Sequence, residues 1–184
     1  MKNILMFLLL ISIIACGQIT TKNSEAKNTE TNEEWKTFDQ SKYSIKYPSS
    51  WELNQSSETG ANFMLFSPQE SEQDNFKENI NLLIQDFTGQ NVTLDTYIQN
   101  TEDQIKTMLP NSTLIENKRN KNKNGEYQKL VYSGDQESFH LTFVQYVWII
   151  NEKAYLITFT SEQNKYADFK AIGEKIMDSF CIKK

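Results

Sequence analysis

SFHLTFVQYVWII, at residues 138–150, is the stretch of sequence that decides the fold. Most of its side chains are β-branched or aromatic, which predicts a long strand. Side chains of a strand alternate between the two faces of its sheet. One face carries Phe139, Leu141, Phe143, Val147 and Ile149, and the other carries Val144, Tyr146, Trp148 and Ile150. Because both faces are apolar, we expect an interior strand in a sheet that is covered on both sides.

The residues after this strand predict a hairpin and a closing helix. Asn151 and Glu152 form a turn into a second strand at residues 154–160, so the two strands are expected to pair antiparallel. Asn164 is then expected to cap a helix. The apolar side chains that follow keep helical spacing on one stripe: Tyr166, Phe169, Ile172, Ile176, Met177 and Phe180.

A second helix is predicted upstream, at residues 93–109. Thr93 can cap this helix, and Pro110 ends it because proline cannot continue the hydrogen-bonding pattern. Its apolar stripe is formed by Leu94, Tyr97, Ile98, Ile105 and Met108.

Shorter strands are predicted from alternating or apolar segments bounded by turn residues. They are residues 43–47, 51–53, 61–67, 80–87, 113–118 and 126–133. The first two flank Pro48-Ser49-Ser50 and are expected to pair as a hairpin. The last two are joined by a tip at residues 121–125, and a polar loop is expected at residues 70–79.

Two amphipathic helices and a sheet with two apolar faces predict an α+β domain. We expect an α/β/α sandwich with a mainly antiparallel central sheet. The chain has 184 residues, which is enough for one such domain and a tether. Cys16 belongs to the N-terminal motif described next, so Cys181 is left without an intramolecular partner and no disulfide framework is expected.

The first fifteen residues predict a signal peptide. Lys2 supplies a positive charge, and the apolar run at residues 4–14 would rise about 16 Å as a helix, roughly half of a hydrocarbon core. The run ends in Ile13-Ile14-Ala15-Cys16, which resembles the lipobox of bacterial lipoproteins. The resemblance implies a diacylglycerol on the Cys16 sulfur and cleavage before that residue. An ordinary secretory signal with an incidental cysteine is the alternative.

Residues 16–34 are expected to be the lipidated cysteine and a flexible tether, followed by a folded domain at residues 35–184. The tether is rich in Asn, Thr, Glu and Lys and as a coil would span about 25 Å. Gly17, rather than an aspartate, follows the cysteine, so the usual inner-membrane retention signal is absent. We therefore expect a lipid-anchored protein of the cell envelope, at the outer membrane if the organism has two membranes.

Three segments of the expected domain resemble the PsbP-like superfamily, which includes the Mog-type Ran-binding factors. The first is Tyr43-Ser44-Ile45-Lys46-Tyr47-Pro48-Ser49-Ser50-Trp51-Glu52. The others begin the mid-chain helix, at Thr93-Leu94-Asp95-Thr96-Tyr97-Ile98, and end the closing helix, at Ile176-Met177-Asp178-Ser179-Phe180. The resemblance covers residues 38–180. It implies an α/β/α fold and a partner-binding or assembly role, and it carries over no catalytic residues.

Three residues of the long strand are candidates for a site. His140 is the single histidine, so a Ser-His-Asp or Cys-His hydrolase would have to use it, although a hydrogen-bonded packing role beneath helical cover is favoured. Tyr146 and Trp148 share its face and could border a cavity for a small lipophilic ligand. These two possibilities, a cell-envelope hydrolase and a ligand carrier, remain as alternatives.

The hairpin tip is a cationic candidate surface. Lys118, Arg119, Lys121 and Lys123 could contact anionic lipid headgroups or an acidic partner. The favoured alternative is a charged loop that discourages edge-to-edge aggregation.

Other site chemistries find little support in the sequence. A net charge of −5 argues against nucleic acid, since phosphate binding needs a concentrated positive surface. One histidine and no cysteine pair argue against zinc, and the acidic residues at 70–78 lack the spacing of a calcium loop, so we expect no metal or cofactor. Cys181 follows a helix C-terminus, where the dipole disfavours a thiolate. The sequence thus predicts a membrane-anchored, non-catalytic partner-binding or assembly module.

Overall fold

The computed structural model of the chain describes residues 33–56 and 60–183. The elements follow in the order β1 Trp35–Asp39, β2 Tyr43–Pro48, β3 Glu52–Asn54, β4 Phe63–Phe66, β5 Asn79–Asp86, α1 Leu94–Met108, β6 Thr113–Asn122, β7 Gly125–Gln136, β8 Phe139–Ile150, β9 Lys153–Glu162, α2 Tyr166–Ser179 and β10 Cys181–Ile182. The predicted signal peptide, Cys16 and the predicted tether up to residue 32 lie outside the described residues. No helix within the described ranges is long and apolar enough to cross a bilayer.

The strands form one large and one small sheet. The seven-stranded sheet has the order β3-β4-β5-β9-β8-β7-β6, and the three-stranded sheet has the order β1-β2-β10. Every pairing among these strands is antiparallel. The predicted α+β architecture with a mainly antiparallel sheet is therefore confirmed.

The long strand predicted at residues 138–150 is an interior strand of the large sheet. β8 pairs with β7 on one side and with β9 on the other. Asn151 and Glu152 form the turn of the β8–β9 hairpin, with φ angles of 51° and 58°. Both φ angles lie in the left-handed region that a tight hairpin turn of the primed type requires. The predicted hairpin is thus confirmed.

Both faces of the large sheet are covered, each by different elements. α1 packs on one face, where Tyr97, Ile98 and Ile105 join a cluster with side chains of β7, β8 and β9. α2 covers the other face together with the small sheet, and its Ile176 and Met177 enter a second cluster. The alternation predicted for β8 holds, because Phe143 and Val147 belong to the first cluster and Val144 and Trp148 to the second.

The hairpin predicted around Pro48 is wrong. β2 pairs with β1 and β10 in the small sheet, whereas β3 pairs with β4 in the large sheet. The prediction failed because β1, with its exposed Lys36 and Thr37, has too little apolar character to be recognised as the true neighbour of β2. Trp51, which lies between the two strands, is buried in the cluster beneath α2.

The helices agree with their predicted positions, with two differences at the ends. Thr93 caps α1, and its hydroxyl accepts a hydrogen bond from the Thr96 backbone N–H. Asn164 does not cap α2: the N-cap position is Lys165, whose side chain makes no capping hydrogen bond. Met108 was placed on the buried stripe of α1 but is 59 % exposed, and Leu109 at the C-cap is buried in its place.

The hairpin of β6 and β7 is longer than predicted. The strands extend to Asn122 and from Gly125, so that the tip contains only Lys123 and Asn124. A register irregularity between Leu114 and Glu116 marks a bulge near the start of β6.

Candidate functional site

Tyr146 and Trp148 lie in the packed core beneath α2. Trp148 is 0 % exposed, and its ring centroid is 5.1 Å from that of Tyr127 and 5.7 Å from that of Phe180. The Tyr146 ring is 4.9 Å from that of Tyr127. These aromatic contacts occupy the space in which a lipophilic ligand was considered.

Tyr146 lies near Asp178 of α2. Burial raises the pKa of the Tyr146 hydroxyl, and the nearby Asp178 carboxylate raises it further. The pKa of Asp178 is also raised, first by partial desolvation and then by repulsion from Glu174. Lys129 Nζ lies 2.9 Å from Glu174 Oε1 and 3.8 Å from Glu116 Oε2, so these charges compensate one another between α2 and the sheet.

His140 is exposed, contrary to the packing position beneath a helix that was expected. Its Nδ1 hydrogen-bonds to the carboxylate of Asp135, the residue opposite it on β7, and Asn111 bonds to the other carboxylate oxygen. The contacts with His140 and then Asn111 lower the pKa of Asp135. This pair has the orientation of an Asp-His dyad. The hydroxyls of the next row on the same face, on Ser133, Thr142 and Ser161, are all buried and offer no open nucleophile.

The cationic side chains of the β6–β7 hairpin do not converge on one surface. Arg119 is held by Asp95 of α1 and by Glu126, on the face that α1 covers. Lys123 Nζ donates to the Ser179 backbone oxygen at 2.8 Å, on the side of α2. Lys118 and Lys121 are both exposed, but they lie on different faces of the sheet. Their cross-strand partners on β7 are Lys129 and Glu126 respectively. The β6–β7 hairpin thus contacts both helices through these side chains.

Sequence reasoning missed a row of polar side chains buried on the α1 face of the large sheet. They belong to β5, β8 and β9, and their exposure lies between 4 and 8 %. We call this surface the polar floor: Asn79, Asn81, Gln145, Thr158 and Thr160.

The strand register brings the polar floor together. Thr160 stands opposite Asn79, and Thr158 stands between Asn81 and Gln145. Neighbouring strands lie about 4.8 Å apart, so the floor spans about 10 Å from β5 to β8. The side chains opposite it on β4, Met64 and Phe66, are apolar and form one border.

One flank of α1 is linked to β5 and the other to β6. The Tyr97 hydroxyl donates to Gln85 Oε1 at 2.7 Å, which turns this flank toward β5. Glu102, on the other flank, bonds to Asn117 of β6. Residues three and four apart share a helix face, so Thr101 and Gln104 lie on the same flank of α1 as Tyr97.

Three carboxamide oxygens in this region are buried and have no hydrogen-bond partner among the described residues. They are Asn79 Oδ1, Gln145 Oε1 and Gln104 Oε1. The amide nitrogen of Gln145 donates to Thr158 Oγ1 at 3.1 Å, and that of Asn79 donates to the Lys77 carbonyl at 3.3 Å. A buried acceptor without a partner costs about 1–3 kcal/mol, so these oxygens lower the stability of the fold locally.

The sequence held a signal for this floor. Asn79 and Asn81 alternate with Ile80 and Leu82, while Thr158 and Thr160 alternate with Ile157 and Phe159. A polar residue at every second position of an interior strand marks one polar face, and two strands with the same pattern suggest that these faces are neighbours.

A buried carboxylate lies at the same end of the sheet, on the opposite face. Glu78 is 2 % exposed, and the hydroxyls of Ser67 and Ser161 lie 3.4 and 3.3 Å from its oxygens. Burial raises the pKa of Glu78, with a smaller contribution from the charge of Asp74.

We expect Glu78→Gln to stabilise the protein at neutral pH. Because the pKa of Glu78 is higher in the folded than in the unfolded state, the ionised form lowers stability, and this loss shrinks as pH falls through the folded-state pKa toward 4.5. Urea unfolding of both proteins between pH 4.5 and 8 should show an advantage of Glu78→Gln that is largest at pH 8. An advantage that grew on acidification would contradict the assignment.

The described residues contain no cluster of side chains suited to binding a metal ion. No group of three or more His, Cys, Asp or Glu side chains there could hold a metal ion. Cys181 is a free, half-buried thiol in β10. The site features of residues 33–56 and 60–183 are therefore a filled aromatic core, an exposed Asp-His pair and the polar floor.

The fold is that of an α+β domain with a helix on each face of an antiparallel sheet. A family profile described as PsbP-like protein matches residues 3–182, so the chain belongs to the PsbP-like family. The family resemblance seen in the sequence is thereby confirmed. A search of curated proteins gives no match.

Solved structures share the fold at low sequence identity. Cyanobacterial PsbP (CyanoP) from Synechocystis is 14 % identical with a TM-score of 0.58, and the match covers 86 % of this chain and 98 % of that one. LpqN, involved in cell envelope biogenesis of Mycobacterium tuberculosis, is 11 % identical with a TM-score of 0.60, covering 84 % and 94 %. PA94 from Pseudomonas aeruginosa, of unknown function, is 11 % identical with a TM-score of 0.59, covering 82 % and 98 %.

Proposed function

We propose that the chain is an exported, lipid-anchored module of the cell envelope that binds a partner protein or a small ligand and performs no chemistry. The observation that carries this proposal is the lipobox-like Ile13-Ile14-Ala15-Cys16 placed before a domain of the PsbP-like family. The acyl chains on Cys16 would hold the domain at a membrane surface, and two or more chains give a stable anchor.

The described side chains favour binding over catalysis. His140 and Asp135 are oriented as an acid-base pair, but the hydroxyls in the adjoining row are buried away from any substrate. The polar floor, in contrast, has unpaired acceptors and no charged side chain that could serve as a nucleophile or general base. A binding module accounts for these features better than an enzyme.

The envelope location rests on two observations. LpqN, which shares the fold, is described as involved in cell envelope biogenesis. The leader of this chain ends in the lipobox-like sequence, and Gly17 in place of an aspartate favours the outer membrane in an organism with two membranes.

The experiment replaces Cys16 with alanine in the full-length chain expressed in bacteria. Wild-type protein should incorporate radiolabelled palmitate and sediment with membranes, whereas Cys16→Ala should lose the label completely and leave the membrane fraction. Cys181→Ala is the matched control, because it removes the other cysteine and should keep both properties. Unchanged labelling and sedimentation of Cys16→Ala would refute lipid anchoring at this residue.

A further inference from the structure

We propose that the free edge of β6 binds an extended acidic segment of a partner protein, which adds a strand to the large sheet. This inference rests on the proposed role as a binding module and names the surface and the kind of partner. Three features carry it: an unpaired strand edge, exposed cations on both faces of that edge, and an exposed apolar patch at one end of it.

β6 is the long edge strand of the large sheet. The strand order ends with β6 on one side and with β3 on the other, and β6 has ten residues whereas β3 has three. Among the described residues, no strand pairs with the outer side of β6. The main-chain N–H and C=O groups on that side can therefore bind an extended chain. The Lys118 carbonyl accepts a hydrogen bond of 3.1 Å from the Asn120 side chain, which an added strand can displace.

The cations of β6 match an acidic strand. Lys118 and Lys121 are exposed, and the carboxylates beside them pair with Arg119 and Lys129 instead. The two lysines lie on different faces of the sheet. An added strand also presents its side chains to both faces alternately, so two carboxylates three positions apart on it would each stand beside one lysine.

The same charges disfavour a second copy of this chain as the occupant. Two β6 strands paired edge to edge would bring Lys118, Arg119 and Lys121 of both copies together, and like charges on neighbouring strands are destabilising. Lysines on an edge strand protect a sheet from such self-association. An acidic segment meets no such repulsion.

An apolar patch lies at the beginning of β6. Within the described ranges the large apolar side chains that are exposed are Met108, Leu114 and Ile115, at 59, 37 and 59 %. They lie where α1 ends and β6 begins, and Ile115 is the extra residue of the bulge, without a partner on β7. Exposed apolar side chains that are grouped together mark contact sites. An antiparallel partner strand would therefore carry acidic residues followed by apolar ones.

The test measures the binding of a synthetic peptide to the full-length protein, purified in a neutral detergent, by fluorescence anisotropy. The probe is Thr-Glu-Thr-Thr-Glu-Thr-Thr-Val-Val-Thr with a fluorophore at its N-terminus. In antiparallel register its glutamates stand opposite Lys121 and Lys118, and its valines stand opposite Ile115 and Leu114.

Two control peptides separate strand addition from unspecific attraction. One has lysine in place of both glutamates, and the other has N-methyl groups on the alternate backbone amides that would face β6. We expect the probe to bind and both controls to bind at least about tenfold more weakly, since one meets like charges and the other lacks main-chain donors. Equal binding of all three peptides, or no binding of the probe, would overturn the proposal.

Variants locate the binding on β6. Lys118→Glu and Lys121→Glu should each weaken binding of the probe about fivefold, because an attractive cross-strand pair becomes repulsive. Ile115→Thr should weaken it about threefold by removing an apolar contact. Lys36→Glu, at an exposed position of β1, is the matched control and should bind as the wild type does. Binding that is unchanged in all three β6 variants would contradict the assignment to this edge.

The remaining outcomes identify a different occupant or a failure of the proposed function. A wild-type dimer that the probe dissociates in sedimentation velocity would show that β6 pairs with a second copy, and would overturn the proposal. Lipid anchoring is measured by palmitate labelling and sedimentation of Cys16→Ala, neither of which depends on the peptide. Loss of one result with retention of the other therefore identifies which proposal has failed.

Discussion

Replacing Trp148 with alanine is expected to lower the free energy of unfolding by about 3–5 kcal/mol. Trp148 is the largest of the fully buried side chains and contacts Tyr127, Tyr146 and Phe180. Its removal deletes the contacts that join β8 to the end of α2, and the surrounding rings can close the resulting cavity only in part. Urea unfolding followed by far-ultraviolet circular dichroism measures the loss without relying on the fluorescence of the remaining tryptophans.

Trp148→Phe is the matched control for this substitution. The indole Nε1 is buried and has no hydrogen-bond partner among the described residues, so its removal abolishes an unsatisfied donor while an aromatic ring is kept. We expect a loss of less than about 1.5 kcal/mol, since the smaller cavity is offset by the lost donor. If Trp148→Ala were as stable as the wild type, Trp148 would border an open cavity and the lipophilic-carrier hypothesis would be favoured again.

The central part of the fold was predictable because its signal is repeated along single elements. β8 has apolar side chains on both faces over most of its length, and that pattern favours an interior strand. Thr93 and Pro110 bound α1 by local backbone chemistry, which needs no tertiary information. These elements are enough to predict a sheet that is covered on both faces.

The small sheet could not be predicted because β1 has little apolar character and because β10 pairs with β2 at long range. β10 is two residues long and pairs with β2 across most of the chain, at Cys181 opposite Ser44. Neither its length nor its composition distinguishes it from the end of a helix. The turn after β2 resembles the turn of a hairpin, but Trp51 enters the core there. The chain therefore passes from the small sheet to the large sheet at this turn.

The candidate site shows the same division between local and tertiary information. Tyr146 and Trp148 were singled out as large aromatic residues, but the residues that fill the space around them, Tyr127 and Phe180, come from other elements. The polar floor escaped notice because each of its strands contributes only one or two polar residues. The alternation on β5 and β9 indicated a polar face, but only the register of β5, β8 and β9 shows that these residues are neighbours.

Gly173→Leu is expected to destabilise the protein by about 3 kcal/mol, at the upper end of typical overpacking costs. Gly173 lies where α2 crosses β9, and a Cβ atom there would be 2.8 Å from two carbons of the Phe159 ring. Phe159 is itself 0 % exposed, so its ring has little room to move. Ala171→Leu, at an exposed position of the same helix, is the matched control and should change stability by no more than about 0.5 kcal/mol.

A double-mutant cycle shows whether the Phe159 ring causes this loss. Phe159→Ala alone should cost about 3–5 kcal/mol by leaving a cavity. In the double variant the Leu side chain at position 173 can enter that cavity, so the combined loss should be smaller than the sum of the two by about 1–3 kcal/mol. Strict additivity in urea unfolding would show that the glycine is required by the helix backbone and not by the approach of α2 to β9. A coupling of the expected size would establish that the close contact of Gly173 with Phe159 sets the distance between the helix and the sheet.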